Sequence, residues 1–103
     1  PLLGAFLGPG VAYHRNVPRG ENPSAVPPAL TMNPGVRFAG PLAILIGPNT
    51  ESEPEAIAAA LREHERARLF GENTRGAWSG FTISTGLPHG VGMIAVPRTR
   101  SLS

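Results

Sequence analysis

At 103 residues the chain has room for one small domain, and its 12 prolines and 13 glycines bring it close to the composition of disordered polypeptides, while 25 Leu, Ile, Val and Phe residues keep it above that range. All nine basic residues are arginine and all seven acidic ones glutamate, so the lack of lysine, aspartate and cysteine excludes a phosphate-binding P-loop, an internal Ser-Lys dyad, a disulfide frame, a zinc-thiolate site and a thiol nucleophile. The net charge is only +2, and the arginines are scattered among glutamates without aromatic interleaving, so no nucleic-acid partner is expected.

In chain order, Leu2, Leu3, Phe6 and Leu7 read as the last turns of a helix stopped by Gly8, Pro9 and Gly10, and the chain is expected to be a segment of a longer protein. Residues 8–40 carry six prolines and little periodicity, which predicts a long surface excursion with a short strand near Val11 to Tyr13. The unit 1–40 is therefore read as a helix end plus a Pro/Gly-rich excursion.

After Gly40 the apolar run Leu42, Ala43, Ile44, Leu45, Ile46 predicts a central strand buried on both faces. A helix is expected from about Pro54 to Arg66, with Ile57, Leu61 and His64 along one stripe. Ala67 to Phe70, ending at Gly71, reads as a second strand, which makes 42–71 a strand, helix, strand unit. Two further strands, about Gly80 to Ser84 and Gly90 to Val96, flank a turn at Gly86 to Gly90, and 98–103 reads as a tail. No apolar run approaches bilayer-spanning length.

The chemistry concentrates in the turn between the first strand of this unit and its helix, Gly47-Pro48-Asn49-Thr50-Glu51-Ser52-Glu53-Pro54-Glu55. In open α/β sheets, sites form beyond the carboxyl ends of strands, where a helix N-terminus offers unpaired amides and a positive dipole end to a developing oxyanion. Ser52 is placed to attack a carbonyl while the backbone amide of Glu53 helps hold the negative oxygen. The same residues fit a capping box, in which Ser52 only caps the helix, and the local sequence leaves both readings open.

From Gly40 onward the chain resembles the C-terminal processing (tail-specific) serine peptidases. The resemblance is carried by Gly40-Pro41-Leu42 leading an apolar strand, by Thr50-Glu51-Ser52-Glu53-Pro54-Glu55 followed by Ala58, Ala60 and Leu61, and by Arg66-Ala67-Arg68-Leu69-Phe70-Gly71-Glu72-Asn73-Thr74-Arg75-Gly76. The family's turn reads Ser-Ala-Ser-Glu with the first serine attacking, which implies that Ser52 is the nucleophile and that Glu55 is the family's glutamate. The implied fold is α/β, a partial crotonase-like ββα peptidase core, with 41–97 as the C-terminal half of the catalytic core. The resemblance further implies a peptide or protein substrate, no cofactor or metal, and an exported or periplasmic location.

Two departures accompany it. Glu51 and Glu53 replace alanines and Pro54 a small residue, and Ala77 stands 25 positions beyond Ser52, where one branch of the family has its lysine base. The resemblance is therefore to the branch without that lysine, similar to the tricorn core and the retinoid-binding relatives, and the general base is expected from outside this segment. The alternative is a noncatalytic, peptidase-like ligand-binding or scaffold module.

Among the remaining polar residues, His64 is expected to pack on the helix stripe, too far from Ser52 for a hydrogen bond. His89 is assigned to a turn, His14 to the proline-rich excursion, Glu72 to a structural turn and Trp78 to packing, while Asn73, Thr74 and Arg75 are placed near the cleft of Ser52. Because the strand at 42–46 is apolar throughout, the chain is expected to pair with the rest of its domain or with another copy.

Overall fold

The computed structural model describes residues 2–78, 82–86, 88–97 and 99–102. Its elements run α1 (Leu2–Leu7), β1 (Ala12–Pro18), a 3-10 turn (Pro23–Ala25), β2 (Ala29–Leu30), β3 (Ala43–Ile46), α2 (Glu53–Glu63), β4 (Arg68–Gly71), β5 (Thr82–Gly86), a second 3-10 turn (Pro88–Gly90), β6 (Met93–Pro97) and β7 (Thr99–Leu102). The fold is mixed α/β, with three small sheets ordered β2-β1-β7, β3-β4 and β5-β6.

The β3-α2-β4 unit forms where the local pattern predicts it. Its strands are parallel, with Ala43 opposite Arg68 and Ile46 opposite Gly71. Gly71, at φ 114, ends the second strand, and a Cβ there would lie 2.1 Å from the Ile46 carbonyl oxygen, so only glycine fits the approach. The amide of Glu72 then donates to that same oxygen at 3.1 Å.

Burial of β3 departs from the expectation. Ile44 and Ile46 are half-buried, but Leu45 is 84 % exposed and Phe70 opposite it 50 %. The strand is therefore covered on one face only, because among the described residues it pairs with β4 alone and no layer lies over its other side.

Helix α2 holds the core. Leu61 (2 % exposed) and Ala60 (1 %) pack with Leu3 of α1, and Phe6, Leu7, Tyr13, Leu42, Ile44, Ile57 and Ala67 close around them. Alanines at 56, 58 and 60 are all buried, and their small side chains allow close approach to neighbouring backbone. His64 does not extend the buried stripe: it is the exposed C-cap, and its Nε2 meets the Ala12 carbonyl at 2.8 Å. A carbonyl only accepts, so Nε2 carries the proton and ties the helix end to β1.

The segment expected to be an excursion is tied down more firmly than its composition suggests. Strand β1 runs seven residues rather than three and pairs antiparallel with β7, which is formed by residues read from sequence as a tail. Thr31, 6 % exposed, donates through Oγ1 to the Gly8 carbonyl and accepts from the Val11 amide, and its own amide donates to the Val11 carbonyl at 2.9 Å. Arg66 fastens the other side: Nε donates to the Phe6 carbonyl (2.9 Å) and a terminal nitrogen to that of Phe38 (2.7 Å), with its guanidinium 5.9 Å from both ring centroids. The hairpin of β5 and β6 pairs Thr82 with Pro97 through Gly86 with Met93. The expected start of its first strand at Gly80, and Leu87 in its turn, lie outside the described residues.

Candidate active site

The site begins with backbone geometry at Ser52. After Ile46 the chain turns tightly, the Thr50 amide donating to the Gly47 carbonyl (2.9 Å) and the Gly47 amide to Thr50 Oγ1 (3.1 Å). The turn delivers Ser52 at φ 62, ψ −128, immediately before the first residue of α2. An ordinary N-cap residue has extended dihedrals; this one sits in a region that costs a residue with a side chain about 1–3 kcal/mol.

The same residues carry a capping box at the head of α2. The Ser52 amide donates to Glu55 Oε2 at 2.9 Å, and the Glu55 amide donates to the Ser52 carbonyl oxygen at 3.0 Å.

Glu55 locks this turn to the loop beyond β4. It is 8 % exposed and accepts from the amides of Gly76 (2.7 Å), Ser52 (2.9 Å) and Ala77 (3.0 Å) and from the Thr74 side chain. The Thr74 bond foremost, then the three amides, holds its carboxyl below the ordinary value against the opposing effect of burial. The Ser52 amide also reaches the Ala77 carbonyl at 3.1 Å, and the Arg75 amide donates to the Thr50 carbonyl at 2.9 Å. Ala77, in the lysine's place, thus contributes backbone alone to the site.

Ser52 and Glu53 line a cavity of about 430 Å³ together with Tyr13, His14, Asn16 and Trp78, walled on its apolar side by Leu2, Leu3, Ala56 and Ile57 among others. That volume falls in the range of small-ligand sites. His14 is half-buried, its ring 4.6 Å from that of Tyr13 and 6.0 Å from that of Trp78, centroid to centroid. Desolvation lowers its pKa below the ordinary value, opposed by the nearby negative charge of Glu53.

Of the residues placed near the cleft from sequence, Asn73 and Thr74 line a separate cavity of about 470 Å³ with Glu55, Arg62 and Trp78. Arg75 pairs with Glu51 at 3.1 Å, both side chains at least half exposed, so the carboxylate preceding Ser52 has a counter-charge. Glu72 and His89 are exposed and line neither cavity; His89 sits in its turn at φ 61. Tyr13, His14 and Asn16 share the cavity wall with Ser52 without being marked as site residues by any motif in the sequence. Their one signal was the pair of β-favouring residues Tyr13 and Val17, which hint at a strand.

No helix among the described residues is long and apolar enough to cross a membrane. No curated protein sequence matches the chain. The model of peptidase family S41 matches residues 2–100, taking in α1 and β1 as well as the segment from Gly40 onward that carried the resemblance. With all but the ends of the sequence matched, the chain belongs to peptidase family S41, the C-terminal processing peptidases.

Proposed function

We propose that this chain carries the nucleophile of a serine peptidase, with Ser52 attacking the peptide carbonyl and the Glu53 amide contributing to the oxyanion hole. The observation that carries the reading is the strained backbone of Ser52 on a strand-to-helix turn, with its residue on the wall of a cavity. Strain of this kind is retained where a serine is held out at the tip of a strand for attack. The Glu53 amide is among the first amides of α2, which a helix leaves without intrahelical acceptors and beside the positive end of its dipole.

Membership of the family supports a hydrolase acting on peptides; serine chemistry and processing of protein tails are our extension to this chain. With alanine at position 77 it falls in the branch without the lysine base. The full-length protein is expected to hydrolyse peptides, and S52A to lower the rate by about 10⁴-fold or more, the scale on which loss of an activated serine acts. Hydrolysis that survives S52A would overturn the assignment. The second reading, a binding module of the same fold, is favoured by the carboxylate at 53, which opposes an oxyanion, while that at 51 is offset by Arg75. Peptide binding that is retained in S52A, with no hydrolysis by either protein, would establish it.

A further inference from the structure

We propose that His14 is the general base for Ser52, so that nucleophile and base both reside in this chain. The inference rests on the peptidase reading above and replaces the expectation that the base comes from elsewhere in the polypeptide.

Three observations meet at this residue. His14 and Ser52 line the same cavity although they are far apart in sequence, because β1 and the start of α2 converge there. The register of β1 on β2 slips between Ala12 and His14, two residues of β1 advancing against one of β2, a bulge of the kind that re-aims side chains beside active sites. Nδ1 of His14 is buried and has no hydrogen-bond partner among the described residues. A buried ring nitrogen without a partner costs stability and needs an explanation; a base that takes up a proton during the reaction is one.

The environment fits the task. Glu53 acts on His14 through its charge and shares the cavity wall, so it stabilises the imidazolium that forms. The other titratable or charged groups on the elements around the ring are few: Tyr13 and Arg15 are its neighbours on β1, His64 at the end of α2 is engaged with the Ala12 carbonyl, β7 carries Arg100 opposite Val17, and α1 and β2 bring none. Desolvation keeps the imidazole neutral to a lower pH than usual, which leaves it competent to accept a proton at neutrality.

In the step assigned to it, the imidazole takes the Ser52 hydroxyl proton as Oγ bonds to the carbonyl carbon and the C=O π pair moves onto oxygen. Collapse restores the carbonyl and breaks the C–N bond, and the imidazolium gives its proton to the departing amine, leaving an acyl-serine. Water then attacks the ester, the imidazole takes its proton, and collapse returns that proton to Oγ as the acid product leaves.

The test is the pH dependence of kcat/KM for peptide hydrolysis by the full-length protein. Wild type should show an acid limb with its midpoint below the ordinary histidine value of 6.5. E53Q, which removes the charge that raises the His14 pKa, should move that midpoint further to acid. H14Q should lower kcat/KM about 10²–10⁴-fold, the range for a general base, and remove the limb. Added imidazole should restore activity to H14A, which a merely structural role would not allow. Unchanged rate and pH profile in H14Q overturn the assignment of His14 and leave Ser52 standing. Should H14Q and H14A fail to fold, a wild-type profile without an acid limb, or one that E53Q does not shift, overturns it equally. Absence of any Ser52-dependent hydrolysis in wild type defeats the peptidase reading itself, and this inference with it.

Discussion

Ser52 is the residue at which local chemistry and backbone geometry disagree. By composition, Ser-Glu-Pro-Glu opens a helix as a capping box; by geometry, the serine sits at φ 62, away from the extended dihedrals of an ordinary N-cap. A serine retained only as a cap would favour extended dihedrals, in which its replacement by glycine costs a few tenths of a kcal/mol. At this positive φ the order reverses. Glycine relieves the strain that the serine bears, so S52G should be more stable than wild type by about 1 kcal/mol in urea unfolding, where a plain cap would make it slightly less stable. An S52G midpoint at or below that of wild type would show that the turn stores no strain.

At the scale of elements, Glu55 joins the head of α2 to the loop at 74–77, and through its bond to the Ser52 amide it fixes the turn. Its carboxyl is held below the ordinary value of 4.5 by the Thr74 bond first and the amides after it. A depressed folded-state value means that the charged form stabilises the fold above about 4.5, and that this contribution is lost as pH falls through the lower, folded-state value. Stability followed by thermal unfolding should therefore decline on acidification below that point, and E55Q, with no charge to lose, should flatten the decline. An unaltered acid profile in E55Q would remove Glu55 from the account.

The β3-α2-β4 unit was legible from sequence because each piece announces itself locally: an apolar run, a turn rich in Gly, Pro and Asn, an alanine-rich amphipathic stretch, and a glycine stop at 71. Ser52 and Glu53 were legible as site candidates for the same reason, standing at the strand-to-helix turn of that unit. The cavity was not. Its opposite wall comes from β1, whose partner β7 lies at the far end of the sequence, and antiparallel pairing across that distance leaves no local trace in a segment dominated by proline and glycine. His14 was accordingly read as part of a surface excursion. The full cover predicted for β3 failed for a related reason: an apolar run states that both faces can be buried, not which polypeptide buries them.

Taken whole, the molecule is extended, 55 × 32 × 25 Å with a radius of gyration of 16.3 Å, against roughly 13 Å for a compact domain of about 100 residues. The exposed face of Leu45 and Phe70 belongs to this shape, as do the exposed side chains of Met32, Val36 and Phe38. We expect these surfaces to be covered by other polypeptide of the same domain or by a second copy. Sedimentation of residues 1–103 alone should show association or loss of folded structure, and a stable, well-folded monomer would contradict it. The most direct measurement of the central claim is made on the full-length protein: reaction with a fluorophosphonate, followed by peptide mapping of the adduct. A single phosphonyl group on Ser52, lost in S52A and suppressed in acid, is the expected result; an unmodified Ser52, or equal labelling of other serines, contradicts Ser52 as the nucleophile.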